Sequence, residues 1–384
     1  MDAIAKMLAN VPPGYQWPFE FCAATTAAVW ILSILTSNVS QVDRLWTFLP
    51  TIYTAYYALL PLWPQEPLFF LCPYTPKDLG WAVAKDFSSR ALLMLGLVSI
   101  WMCRLSYNTY RRDEDYRWAV LRAKLPAWLF QIVNLTFIAA IQNVLLMLLG
   151  FPAKVAATIQ PHTPLAPSDL ILGALALVVL AFEFTSDNQQ WAFHSYKHAY
   201  LAAEQGKTDV QPYDKKEQWP GARLSFTPAD AKRGFITRGL WAYSRHPNFL
   251  CEQSFWWIIT TIPLLSPSPP HLIYTSFPTH LIPSLSAILQ NPYTLVPVLE
   301  RVFSPLAHVT PALALSALFF SSTLFTESIS RGKYPSEYKA YQERVGMFSP
   351  LRTWEKGLLV AWRGRKKAVE GVVWGNQEKA GKQE

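Results

Sequence analysis

The chain has 384 residues, of which 51% are hydrophobic, 14% aromatic and only 16% charged, where a soluble domain carries about 25% charged residues. Its mean hydropathy is only +0.12, so long polar loops dilute strongly apolar segments, and the composition excludes an ordinary soluble domain in favour of an all-α, polytopic transmembrane bundle. The net charge of +8 implies no nucleic acid, because the basic residues lie in loops beside apolar segments, where membrane topology and anionic headgroups account for them.

In chain order, seven apolar segments stand out, at about 20–37, 46–63, 89–106, 128–150, 169–186, 250–266 and 311–327. Each approaches the roughly 20 residues that a bilayer-crossing helix needs. The opening stretch MDAIAKMLANVPPGYQ lacks the basic region, apolar core and small-residue cleavage site of a secretory signal. The first segment is therefore expected to be an uncleaved anchor. The loops alternate in charge: 107–127 holds Arg111, Arg112, Arg117, Arg122 and Lys124, 187–249 holds nine Lys or Arg, and the stretch from Arg331 to the end holds twelve. By contrast 151–168 has only Lys154, and 267–310 only Arg301. The positive-inside rule places the basic loops in the cytosol, the N-terminus outside and the C-terminus inside.

These readings predict a transmembrane domain over 1–352, with a Pro-rich non-cytosolic insertion at about 267–310, and a basic, largely disordered cytosolic tail over 353–384. The insertion (SPSPP, FPTHLIPS, NPY) is apolar between its prolines, and fits a loop, a re-entrant segment or a broken helix pair. Cys22, Cys72, Cys103 and Cys251 form no CxxC pair, so buried free thiols are expected. His194 and His198 share a helical face, but no third ligand is near in sequence, and no metal is expected.

Four motifs fall at the expected cytosolic ends of spans: VDRLW at 42–46, RLSYNTYRRDEDYRW at 104–118, TSDNQQW at 185–191 and GLWAYSRHPNFLCE at 239–252. Ionisable groups at such depths are costly and tend to be functional. Asp43–Arg44 also reads as an interfacial ion pair, Arg111, Arg112 and Arg117 as topogenic charges, and Asp187 as the polar end of a span. The fourth motif carries the strongest chemistry. Arg245 offers a planar fork of donors suited to phosphate. Pro247 disfavours helix at His246 and marks a helix start, where free N–H groups and the dipole favour an anion. Arg245, His246, Asn248 and that helix end together describe a phosphate-binding corner. Glu252, one turn on, suits a ribose hydroxyl, a carboxamide or an amine.

VDRLWTFLP, RLSYNTYRRDEDYRW, SDNQQ, LWAYSRHPNF and YPSEYKAYQERVGMFSP, in that order, resemble the membrane-bound steroid 5-alpha-reductase-like superfamily, most closely a branch bearing a steroid-reductase-type C-terminal domain. The resemblance runs from about residue 40 to 352. It implies a multi-pass protein of the endoplasmic reticulum that uses NADPH to reduce an activated carbon–carbon double bond in a lipid substrate: steroid, sterol, polyprenol or enoyl type. It further implies cofactor contacts from Asp187, Asn248 and Glu252, with Arg245 and His246 beside them and Tyr243 and Arg104 as further contacts. For the acid and tyrosine that such enzymes place near the substrate carbonyl, Asp43 and Tyr107 are the nearest counterparts, although Trp101 stands at the tyrosine's approximate place. The competing class is the S-adenosylmethionine-dependent membrane methyltransferases of isoprenylcysteine or phospholipid type, which share an RHP motif before an apolar span. They carry a paired Glu-Glu on a late helix, where this chain has Glu327 followed by Ser328. A non-enzymatic scaffold or lipid-binding role is the third alternative.

Overall fold

The computed structural model describes residues 11–375 apart from 81, 82, 84, 112–115, 208, 209 and 272–282, with backbone only at 116 and 300–305. Arg112 to Asp115 of the second motif, the centre of the Pro-rich insertion and the last residues of the tail lie outside the described residues. Every regular element among the described residues is helical. In chain order these are α1 (Gln16–Leu35), α2 (Gln41–Trp46), α3 (Leu49–Ala58), α4 (Ser89–Tyr110), α5 (Tyr116–Lys124), α6 (Ala127–Val133), α7 (Gln142–Leu148), α8 (Phe151–Lys154), α9 (Pro167–Glu204), α10 (Pro228–Arg233), α11 (Pro247–Thr261), α12 (Leu285–Gln290), α13 (Val296–Lys333), α14 (Pro335–Arg344), α15 (Pro350–Trp362) and α16 (Lys366–Trp374). Stretches of π-helix over Asn134–Ile141 and Val155–Ile159 join α6 to α7 and extend α8.

Five described helical stretches are long and apolar enough to cross a membrane: Pro13–Leu35, Ser89–Tyr110, Ala127–Ile159, Pro167–Glu204 and Leu306–Lys333. The two remaining expected spans are helical but shorter. Around 46–63, α3 has ten residues before a 3-10 turn at Leu60–Leu62, because Pro61 cannot continue an α-helix. Around 250–266, α11 has 15 residues and then a 3-10 turn at Pro263–Leu265. At about 1.5 Å per residue neither reaches the roughly 30 Å of a hydrocarbon core. Conversely, α9 runs 38 residues into what the charge pattern reads as loop. No Gly or Pro interrupts residues 174–205, and Gly206, at φ +69°, ends the helix in the left-handed conformation that glycine adopts freely. The Pro-rich stretch is likewise helical in its last part, since α13 starts at Val296.

The chain divides into two compact units, Met1–Leu177 with Trp256–Ser316, and Val178–Phe255 with Ala317–Glu384. In the first, aromatic rings of α1 and α3 form the core. Trp17 stacks on Tyr56 with centroids 4.4 Å apart, and Trp101 meets Trp256 edge-on at 5.0 Å. The polar tips reach backbone carbonyls: Tyr57 Oη donates to Gly14 O at 3.0 Å, and Trp17 Nε1 to Leu71 O at 3.0 Å. Gly150 is required here, because a Cβ would stand 2.5 Å from Tyr53 Cβ.

A fully buried ion pair ties the helix starts of this unit. Arg90 on α4 donates through Nε and Nη2 to the two oxygens of Asp169 on α9 at 2.8 and 3.0 Å, and through Nη1 to Gln160 Oε1 at 2.9 Å. Gln160 Nε2 then donates to Pro263 O and Ser268 O, so the chain entering the Pro-rich stretch is pinned to the same cluster.

The expected disordered tail is not what residues 353–375 show. Both α15 and α16 are helical, and Val360, Val369 and Val373 are buried with Tyr338, Tyr341 and Val345. The dense charge of RGRKK obscured a helical apolar spacing that buries one face.

Removing one partner of a buried ion pair leaves an uncompensated charge, at a cost of about 3–5 kcal/mol. Arg90→Leu is therefore expected to lower the thermal unfolding midpoint in detergent markedly. The double variant Arg90→Leu/Asp169→Leu should recover part of that loss; equal midpoints for the single variant and the unaltered chain would refute the role of the pair.

Candidate functional site

In the second unit the motif at 239–252 folds as a 3-10 turn, Gly239–Ala242, a short non-helical corner, and the first turns of α11. Its backing is α9. Gln189 accepts from Leu240 N at 2.9 Å and donates to Gly221 O at 2.9 Å, while Trp241 Nε1 donates to Ser186 O at 3.1 Å. Gly239, at φ +63°, is needed for this approach, since a Cβ would lie 2.5 Å from Gln189 Oε1. In the first turn of α11, Asn248 Nδ2 donates to Asp187 Oδ1 at 3.2 Å, and both residues are buried. The SDNQQ and RHPN motifs, 61 residues apart at this contact, thus meet side chain to side chain.

The C-terminal motif straps the corner from the other direction. Arg245 N and His246 N donate to Gly346 O and Met347 O at 2.9 and 3.1 Å. Tyr341 Oη donates to Trp241 O and Thr353 Oγ1 to Tyr243 O, each at 2.5 Å. These contacts satisfy backbone groups that would otherwise be buried without partners.

At the centre stands Glu327 of α13. Arg245 donates to its carboxylate through Nε at 2.7 Å and Nη2 at 3.0 Å, His246 Nε2 lies 3.0 Å from Oε1, and Gln342 Nε2 donates to Oε2 at 2.7 Å. A third Arg245 nitrogen, Nη1, donates to Val345 O. The guanidinium fork expected to grip phosphate thus engages an internal carboxylate in this structure, and Arg245 and His246 together lock the corner. One carboxylate is already matched by one guanidinium, so a second cation would be buried without a counter-charge. Burial accordingly pushes the His246 pKa below its ordinary value, against the opposing pull of Glu327.

The other expected residues divide between the units. Glu252 is buried on α11, four residues from Asn248, and Tyr243 is exposed. In the first unit, Asp43 accepts from Trp118 Nε1 at 2.9 Å, which joins the first two motifs. Arg104 is buried there, and Tyr107 is half exposed, with the Arg111 guanidinium 4.0 Å above its ring. In sequence Glu327 stands out only as a single late acid, and nothing marks Gln342. The available signal was the carboxylate itself, since an acid within an apolar span needs a partner; its identity required the fold.

Glu327→Ala should destabilise the chain by about 3–5 kcal/mol, as expected for an orphaned buried cation, and Glu327→Gln by less, because it keeps an acceptor. The His246 contribution carries a sign. A depressed folded-state pKa contributes stability that is present above the ordinary value of 6.5 and is lost as pH falls through the folded-state value. Unfolding midpoints measured across that range should fall with acidification, and His246→Asn should flatten the slope. An unchanged slope in the variant would assign the pH dependence elsewhere.

The comparisons bear on this geometry. A family model described as "Protein of unknown function (DUF1295)" matches residues 29–289. A protein of Schizosaccharomyces pombe, described only as uncharacterised, is 30% identical over 328 residues, which is 84% of this chain and 75% of its own length. No solved structure matches the chain. The family match spans α1 through α12 and contains α9 and the RHPN corner, and on these two matches the chain belongs to the DUF1295 family.

Proposed function

We propose that the chain is an NADPH-dependent reductase of an activated carbon–carbon double bond in a lipid, of the steroid 5-alpha-reductase-like superfamily. It works as a multi-pass protein of the endoplasmic reticulum with its cofactor pocket facing the cytosol. The observation that carries this reading is the buried Asp187–Asn248 pair, formed by two of the three residues to which the resemblance assigns cofactor contacts.

The side chains present suit one end of the cofactor. Asn248 Nδ2 donates to Asp187, and its Oδ1 accepts from Phe249 N at 3.0 Å. The amide is thereby held in one orientation, with a second N–H and a second lone pair left for a ligand. Glu252 shares the Asn248 face of α11, as an i, i+4 neighbour. Two carboxylates and an amide suit the hydroxyls and carboxamide of a nicotinamide riboside. When bound, the cofactor supplies hydride to the beta carbon of the substrate's double bond. Among the chain's own groups, Tyr107 and Asp43 are the proposed source of the proton for the alpha carbon, and Arg104 and Tyr243 are further cofactor contacts. Trp118 Nε1 donates to one Asp43 carboxylate oxygen at 2.9 Å, which fixes where that carboxyl stands.

The second reading, a methyltransferase using S-adenosylmethionine, draws on the Glu327 lock, because the resemblance to that class rests on an RHP motif and late-helix acids, and here Glu327 meets that motif. Ser328 in place of a second acid weighs against it. Purified protein titrated with each cofactor separates the readings: a thermal shift with NADPH alone is expected. A shift with S-adenosylmethionine alone would establish the other class, and no shift with either would favour a scaffold. Asn248→Ala should abolish the NADPH shift while destabilising the unliganded protein by only about 1.5–3 kcal/mol, the range for one hydrogen bond to a charged group.

Orientation is tested separately. A glycosylation acceptor introduced among residues 161–165 should be modified in microsomes, and one among 211–217 should not. The reverse pattern would put the pocket in the lumen.

A further inference from the structure

The C-terminal helix pair has a face that nothing in the second unit covers. On α15, Thr353 and Val360 are buried: Thr353 Oγ1 donates to Tyr243 O and accepts from Gly346 N at the corner, and Val360 packs with residues of α14 and α16. Leu351, Trp354, Leu358 and Trp362 are 75%, 66%, 52% and 84% exposed. At about 100° per residue these four fall within an arc of roughly 80°, about 150° away from the buried pair. The exposed apolar stripe is thus a second face, separate from the one that packs. Arg352 lies on a third arc, and Arg363, Lys366 and Lys367 are exposed where the helix ends.

We propose that α15 lies in the membrane–water interface, with Leu351, Trp354, Leu358 and Trp362 seated among the lipid headgroups and upper acyl chains. Three observations select lipid over another occupant. The same unit contains the end of a membrane-crossing helix, Leu306–Lys333, whose last turn carries Arg331 and Lys333. Only the ten-residue α14 and a short turn separate that exit from α15. The stripe has an indole near its middle and another at its end, and indoles concentrate at headgroup depth. The cations flanking the stripe complement anionic headgroups, as in helices that lie along a bilayer surface rather than span it. Seating α15 in this way would also hold α14, and through Tyr341 and Gly346 the strap on the RHPN corner, at a fixed depth.

The test uses the full chain reconstituted in phosphatidylcholine–phosphatidylserine vesicles. Single cysteines replace Trp354, Leu358 or Arg352 in a Cys103→Ser/Cys251→Ser background, and each carries an environment-sensitive fluorophore. A label at Phe320, an exposed position on the spanning part of α13, sets the full lipid signal. Quenching by lipids with a nitroxide on the acyl chain is expected to be several-fold stronger at 354 and 358 than at 352, and to approach that at 320. Equal, weak lipid quenching at 354, 358 and 352 would overturn the proposal. Full access of iodide to 354 and 358 would then show a solvated face, and protection from both quenchers would show a protein occupant or a second copy.

Discussion

The Glu327 carboxylate is the contact on which the second unit depends. It accepts from Arg245, His246 and Gln342, so α13, the corner before α11 and α14 converge on one group. A lone carboxylate in that position would be costly to bury, and so would a lone guanidinium. Together, with every strong donor pointed at an acceptor, they are tolerated, and the geometry allows little slack. This also explains why the backbone bonds from Arg245 and His246 to Gly346 and Met347 are formed: the side chains hold the two segments at hydrogen-bonding distance. The Asp187–Asn248 pair stands on the residue after Pro247, so its position follows from the same lock.

The first unit repeats the principle at another set of helix ends. Arg90, Asp169 and Gln160 form a cluster with the guanidinium, carboxylate and amide all engaged. Both units therefore use a buried Arg–carboxylate pair to register helices that also carry exposed apolar faces. Along those outer surfaces hydrophobicity distinguishes no particular neighbour, since lipid satisfies Leu and Phe as well as protein does. Polar pairs, small residues such as Gly150, and aromatic tips reaching for backbone carbonyls supply the specificity that the apolar faces lack.

Much of this was legible along the chain. Apolar runs near 20–37, 89–106, 128–150, 169–186 and 311–327 each coincide with a long helix of the structure, because window hydropathy sums the side-chain transfer that favours lipid, and backbone in lipid must then pair within its own helix. Proline was the less certain guide. It shortened α3 and α11 as expected of a breaker, but α13 carries Pro311 without ending. The continuation of α9 to Glu204 was missed because its polar composition resembles a loop, although its lack of Gly and Pro allowed helix throughout. The tail was misjudged for a related reason: charge density was weighed above the spacing of Val360, Val369 and Val373.

By itself the sequence determined the class of molecule and marked the motifs that meet at the corner before α11. Window hydropathy and ordered motifs are local quantities, and they need no knowledge of what packs against what. Only the tertiary structure decided the roles within the motif. Arg245 reads as a phosphate ligand as long as its partner is unknown. That partner is Glu327, 82 residues away, and which of many charges a buried fork will meet depends on helix packing, which no local pattern encodes.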